Sequence, residues 1–280
     1  MNQRVARRKR ATLWFFLVLM VAGVFVLFYP AYGSTISAIR QNEVIREYTS
    51  KVSEVDEEML AAAREYNQSL GFHTEEEYMR QLKTPGTDVI GSIAVPSVGI
   101  LQPIFHTEDE DVLMRGVGHM GYTHLPVGGE GTLSSLTGHT GVPGKKIFDP
   151  LHDVEMGDLI IIKVAGDELF YKTIEKEVIS PTQTDRLQPR EGKDLIALLT
   201  CTPYSVNTHR LLVIAERTDR PSEEELGNMD IKDPVSWWWV VPMALSLVGV
   251  VALGVSGFRN LKKQFPDKPL VDSHDQPAPL

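Results

Sequence analysis

Residues 194–216 read DLIALLTC (194–201), TPYSVNT (202–208) and HRLLVIAE (209–216): two apolar runs joined by a polar connection that contains a proline. Each run has the length of a strand and is dense in Leu, Ile and Val, and Thr202-Pro203 should stop the first of them. The pair therefore reads as an antiparallel hairpin, with Cys201 at the end of one strand and Arg210 opening the next. Antiparallel pairing brings these two residues together at one end of a sheet.

The same texture extends back along the chain. Beyond Thr84-Pro85-Gly86, short apolar runs recur at 88–95, 100–105, 131–138, 158–165 and 168–179, separated by Gly and Pro. With the hairpin they make seven or eight strands without long helices between them, which predicts an all-β barrel or sandwich over 88–217. Ahead of it, Ile36, Ile39, Val44, Ile45, Tyr48, Val52, Val55, Met59 and Leu60 recur at three- and four-residue steps, predicting a helical stalk or helix pair within 34–87. Residues 218–236 are acidic and polar and read as a spacer.

Two segments lie outside this pattern. Residues 11–30 begin with ATLWFFLVLMVAGVFVLFY, a charge-free run long enough to cross a bilayer, and residues 237–257 read WWWVVPMALSLVGVVALGVSG. Arg4, Arg7, Arg8, Lys9 and Arg10 precede the first, and Arg259, Lys262 and Lys263 follow the second. Basic flanks mark the cytoplasmic side, so residues 1–10 and 258–280 are expected inside, and roughly 33–235 outside. A cleaved signal peptide is the rival reading of the first segment, against which stand its length and the poor cleavage site at Pro30-Ala31-Tyr32-Gly33. The net charge of −9 argues against a nucleic-acid partner; membrane lipid is the expected one.

Cys201 is the chain's one cysteine, so no intrachain disulfide exists. A thiol at a strand end beside a loop is placed to meet solvent, and a neighbouring guanidinium favours the nucleophilic thiolate. Arg210 cannot accept a proton, so its expected task is to hold a substrate carbonyl or the oxyanion formed on it. The structural alternative is a cysteine buried as a small hydrophobe. Among eight histidines, His139 has the best setting for an acid–base group, following a strand and flanked by Gly138 and Gly141. His209 points opposite to Arg210 in a strand. No His-Glu-x-x-His motif or cysteine cluster is present, and no metal is expected.

Taken together, Leu198-Leu199-Thr200-Cys201-Thr202-Pro203-Tyr204 with Asn207-Thr208-His209-Arg210-Leu211-Leu212-Val213 resembles the signature of sortases, especially the pilus-building class C. Leu136-Thr137-Gly138-His139 is similar to the family's histidine motif, and Leu125-Pro126-Val127-Gly128-Gly129-Glu130-Gly131 is typical of that class. The resemblance spans about residues 60–217. It implies an eight-stranded sortase-type barrel with N-terminal helices, flanked by two membrane helices, on a Gram-positive cell surface. It also implies a cysteine transpeptidase in which Cys201 attacks the Thr–Gly bond of an LPxTG-type sorting signal. His139 is then the general acid/base, Arg210 positions substrate and stabilises the oxyanion, and Thr200 contributes to the substrate-binding and oxyanion region. The acyl group passes to a lysine of another pilin, and no cofactor is implied. Anchoring of surface proteins to peptidoglycan, a non-catalytic assembly scaffold and a cysteine peptidase are the alternatives. Many class C enzymes carry an Asp-Pro-aromatic lid, which residues 66–87 lack. Phe72 and Tyr78 are the candidates for a substitute plug, and a short or absent lid with an open cleft is the expectation.

Overall fold

The computed structural model describes residues 2–52, 54–69, 73–228, 232, 233, 235 and 237–264. Helix α1 (Asn2–Lys51) is followed by α2 (Glu57–Gln68) and α3 (Glu75–Arg80). Strands β1 (Val89–Val95) and β2 (Ile100–Phe105) come next, then α4 (Glu110–Leu113), β3 (Val117–His119) and β4 (Thr132–Thr137). After these come β5 (Leu159–Val164), β6 (Asp167–Ile179), β7 (Asp194–Thr202) and β8 (His209–Thr218), with helices α5 (Glu223–Asn228) and α6 (Val240–Gln264) closing the described chain. Tyr32–Ser236 is one compact unit, and the segments up to Ala31 and from Trp237 make up another.

The strands close into an eight-stranded barrel in the order β1-β2-β3-β4-β7-β8-β6-β5. Two of its pairings, β2 with β3 and β4 with β7, are parallel; the rest are antiparallel. β3 is an addition to the expected runs. It has three residues, Val117-Gly118-His119, too few and too mixed to give an alternation, and Gly118 is required because a Cβ there would lie 2.3 Å from the Thr107 carbonyl oxygen.

β7 is buried on both faces, which explains its near-continuous apolar sequence. Ile196 and Leu198 join Ile93, Ile104, Leu136, Ile160 and Val213 in the main core. Leu195, Ala197 and Leu199 face the other way, into a second cluster with Leu133, Leu212, Ile214 and Leu187. Leu187 comes from the β6–β7 connection, so that connection covers the outer face of the sheet. Ion pairs hold it there: Arg190 grips Glu175 of β6 with two nitrogens, one at 3.0 Å, and Arg186 bonds Glu177 at 2.6 Å and Glu175 at 3.1 Å. The Arg190 bonds hold the Glu175 carboxyl below the usual carboxylate range.

Ahead of the barrel the described residues form α1, α2 and α3. α1 continues through Pro30 from the apolar segment without interruption. A proline removes one helical donor and disfavours the preceding turn, but neighbouring bonds carry the helix across it. In its second half Tyr48 docks α1 on the barrel: the hydroxyl donates to the Ile90 carbonyl (3.1 Å) and accepts from the Ala165 amide (2.9 Å). α3 begins with a capping box in which Thr74 and Glu77 satisfy each other's backbone amides. By length and composition, α1 from Arg4 onward and α6 are each able to cross a membrane.

Candidate active site

The β7–β8 register sets Cys201 directly opposite Arg210, and the β6–β8 register sets Ile179 opposite Arg210 on its other side. Cross-strand partners share a face, so thiol, guanidinium and Ile179 line one surface. His139 arrives from another direction. β4 runs parallel to β7 with Thr137 level with Leu199, so both strands end at the same rim and His139 follows two residues later. The junction is tied by backbone: the Gly138 amide donates to the Leu199 carbonyl (3.2 Å), and the His139 carbonyl accepts from the Phe148 amide (3.0 Å). Gly138 must be glycine, since a Cβ would lie 2.9 Å from the Phe148 ring. Gly141 has a φ of 77°, and its amide donates to the partly buried Asp149 carboxylate (3.2 Å). Burial raises the Asp149 pKa.

A cleft of about 390 Å³ lies at this rim. Its floor is apolar (Met120, Ile179, Leu187, Leu199) and continuous with the second cluster, while Cys201, His139 and Arg210 sit along its sides. Cys201 is free and partly exposed. Arg210 spends one nitrogen on the hairpin's own carbonyls, Asn207 (3.3 Å) and His209 (3.1 Å), and among the described residues no carboxylate lies within ion-pair distance of it. Its remaining donors are therefore open to the cleft. His139 Nε2 lies 3.2 Å from Glu110 Oε2.

Two of the expected roles meet a different placement. Thr200 is buried and faces away from the cleft, as alternation with Leu199 and Cys201 demands; its hydroxyl donates to the Gly138 carbonyl (2.7 Å). Its side chain thus ties the histidine segment to the cysteine strand and does not face the cleft. Tyr78 is no plug over Cys201. It sits on α3 with its ring buried against Gly121, and its hydroxyl lies 2.8 Å from His119 Nδ1 and also reaches the His106 carbonyl. A phenol with two internal acceptors gains more from that pocket than from an apolar cover. Phe72 lies outside the described residues. No described residue between 66 and 87 lines the cleft. His209 shares the Thr202 face, opposite Arg210, and His152 bonds Thr202 there (3.2 Å).

Glu110 was not legible as part of the site, because α4 is a single turn inside the acidic run Glu108-Asp109-Glu110-Asp111 and carries no periodic pattern. Glu108 of the same run lines the cleft edge; burial, then Asp109, push its carboxyl up. No cluster of three metal-ligating side chains exists among the described residues.

A closed barrel with a free cysteine, a histidine and an unpaired arginine at one rim defines a candidate cysteine acyl-transferase. The sequence matches the Sortase domain family over residues 93–218. The structure is similar to sortase A from Corynebacterium diphtheriae in a lid-mutant form, with 39% identity, TM-score 0.57, and coverage of 60% of this chain and 96% of that one. It is also similar to the pilus-related sortase C of Group B Streptococcus, with 32% identity, TM-score 0.57, and coverage of 62% and 96%. A curated relative, sortase A of Streptococcus agalactiae, is 25% identical over 207 residues, 72% of this chain and 83% of its own length. The chain belongs to the sortase family of cysteine transpeptidases, and its structural relatives include class C members.

Proposed function

We propose that this chain is a membrane-bound, pilus-building sortase that cleaves an LPxTG-type sorting signal between Thr and Gly and transfers the acyl group to a pilin lysine. The observation that carries the reading is the rim itself, where three strand ends deliver Cys201, His139 and Arg210 to one cleft with an apolar floor. The pilus-related structures among the relatives support the pilin as substrate.

In this reaction Cys201 Sγ bonds to the threonine carbonyl carbon, and the carbonyl oxygen gains negative charge beside Arg210. The C–N bond to glycine breaks, His139 gives its proton to the departing amine, and a thioester remains. The lysine of a second pilin, its ammonium proton already lost to solvent, attacks the thioester as a neutral amine. His139 takes one proton from that nitrogen as the new amide forms, and Cys201 leaves as thiolate. One amide replaces another, so no nucleotide is consumed. The apolar stretches of α1 and α6 anchor the enzyme, with residues 1–10 and 258–280 cytoplasmic and the barrel of 88–217 outside. Stalk (34–87) and spacer (218–236) connect barrel and anchors. No lid covers the cleft in this reading.

The test is intact mass spectrometry of the chain incubated with an LPxTG-type peptide. An adduct on Cys201, absent in Cys201→Ala, that moves to an added pilin domain supports the proposal. Transfer to wall-type amines alone indicates anchoring to peptidoglycan instead. No adduct from a folded protein with a reactive thiol, across a panel of sorting sequences, would refute it.

A further inference from the structure

The contact between His139 Nε2 and Glu110 Oε2, 3.2 Å apart, is a feature at the rim that the reaction above leaves unused. A carboxylate only accepts hydrogen bonds, and a neutral imidazole has one N–H. The proton of neutral His139 therefore belongs on Nε2. Nδ1 has no partner among the described residues and keeps its lone pair. We infer that Glu110 is a positioning residue that fixes the His139 tautomer and ring rotation, so that Nδ1 is the nitrogen exchanging protons at Cys201. The inference rests on the acid–base role proposed for His139.

Although the Glu110 side chain is 79% exposed, its backbone is not free. Val112, two residues on, is buried in a cluster with Phe105 and Val89. The α4 turn is closed by Leu113 N to Asp109 O (2.9 Å), Met114 N to Glu110 O (3.0 Å) and Gly116 N to Val112 O (3.1 Å). At the other partner, Gly138 and His139 are both held through their backbone. Two fixed backbones thus meet through one side chain each, the arrangement by which a second group orients a reactive histidine. Glu110 itself does not line the cleft, so it acts through His139 and not on the peptide.

A solvent-exposed hydrogen bond to a carboxylate carries a small energy, so the expected rate effect is a few-fold and not a loss. Full chain in detergent, labelled with ¹⁵N-histidine, reads the tautomer directly, with His139→Ala assigning the ring signals. Wild type should show neutral His139 protonated at Nε2. Glu110→Ala should show a mixture of tautomers, with kcat for acyl transfer reduced a few-fold, and KM for the sorting peptide and Tm unchanged. Glu110→Gln, whose amide oxygen still accepts from Nε2–H, should restore the ring signals and part of the rate. Unchanged ring signals and rate in Glu110→Ala would overturn the inference, as would a rate loss that tracks KM or Tm. Should His139→Ala keep the wild-type rate, the acid–base reading fails and this role with it. Should His139→Ala be inactive while Glu110→Ala behaves as wild type, the Glu110 inference alone fails.

Discussion

Acidifying the barrel unit from neutral pH should cost stability mainly through His119. This side chain is fully buried on β3; the carbonyl of His124 accepts from its Nε2 at 2.7 Å, and the Tyr78 hydroxyl lies 2.8 Å from Nδ1. Burial is the largest influence and lowers its pKa to about 4, partly opposed by the His124 bond. Because the folded value lies below the ordinary 6.5, the unfolded chain takes up the proton first as pH falls. The neutral histidine's contribution is whole above about pH 6.5 and is lost progressively down to about pH 4. The gap between those values corresponds to about 3 kcal/mol. His106 and His124 are also lowered by burial and add to the loss. Asp149 and Asp194 are raised by burial, so they work the other way, binding protons more readily in the folded state. Urea unfolding of residues 32–236 at pH 7, 5.5 and 4 measures the balance, and His119→Gln removes the largest contributor while keeping polar groups for Tyr78 and His124. The variant should be less stable than wild type at pH 7 but lose much less between pH 6.5 and 4. Equal losses in the two proteins would refute the assignment to His119.

Thr200→Val deletes the bond to the Gly138 carbonyl at nearly constant volume and leaves a buried acceptor unpaired, so it should lower stability by about 1–3 kcal/mol. Thermal unfolding checks the first effect, and turnover should fall as well, because His139 loses its tether to the cysteine strand. Glu175→Gln weakens the grip of Arg190 and Arg186 on the β6–β7 connection, so the KM for a sorting peptide should rise more than kcat falls. The Glu175 pKa is lowered, so in wild type the same loosening should appear only as pH falls below the usual carboxylate range, and steady-state kinetics against pH checks both.

How much of this was readable in the chain depended on whether the deciding contacts were local. Most strands were legible because turn residues bounded each apolar run, and the Cys201–Arg210 adjacency followed from counting along a single hairpin. β3 was not, since its place comes from parallel pairing with β2 and antiparallel pairing with β4. α3 carried a visible signal in Thr74 and Glu77, yet its aromatic invited the lid reading; the partners that bury Tyr78, His106 and His119, lie far along the chain. Glu110 faces His139 across 29 residues with no motif joining them. Thr200 was read for its place beside Cys201, but the period of two turns its side chain to the opposite face.

That period also explains why the rim can hold three reactive groups without any of them bonding another. Cys201 and Arg210 are partners because two antiparallel strands are in register, and His139 is level with them because β4 and β7 are in parallel register. Their spacing is a property of the barrel's backbone ladder, reinforced at one point by Thr200 and Gly138. A ladder of this kind has to open cooperatively to move any one residue, whereas a side-chain bond between nucleophile and base would shift with each rotamer. The side chains are then left free to change partners as the thiol, the oxyanion and the incoming amine succeed one another. Glu110 fits the same division of labour: from outside the cleft lining it bonds the imidazole at Nε2, and Nδ1 has no partner among the described residues.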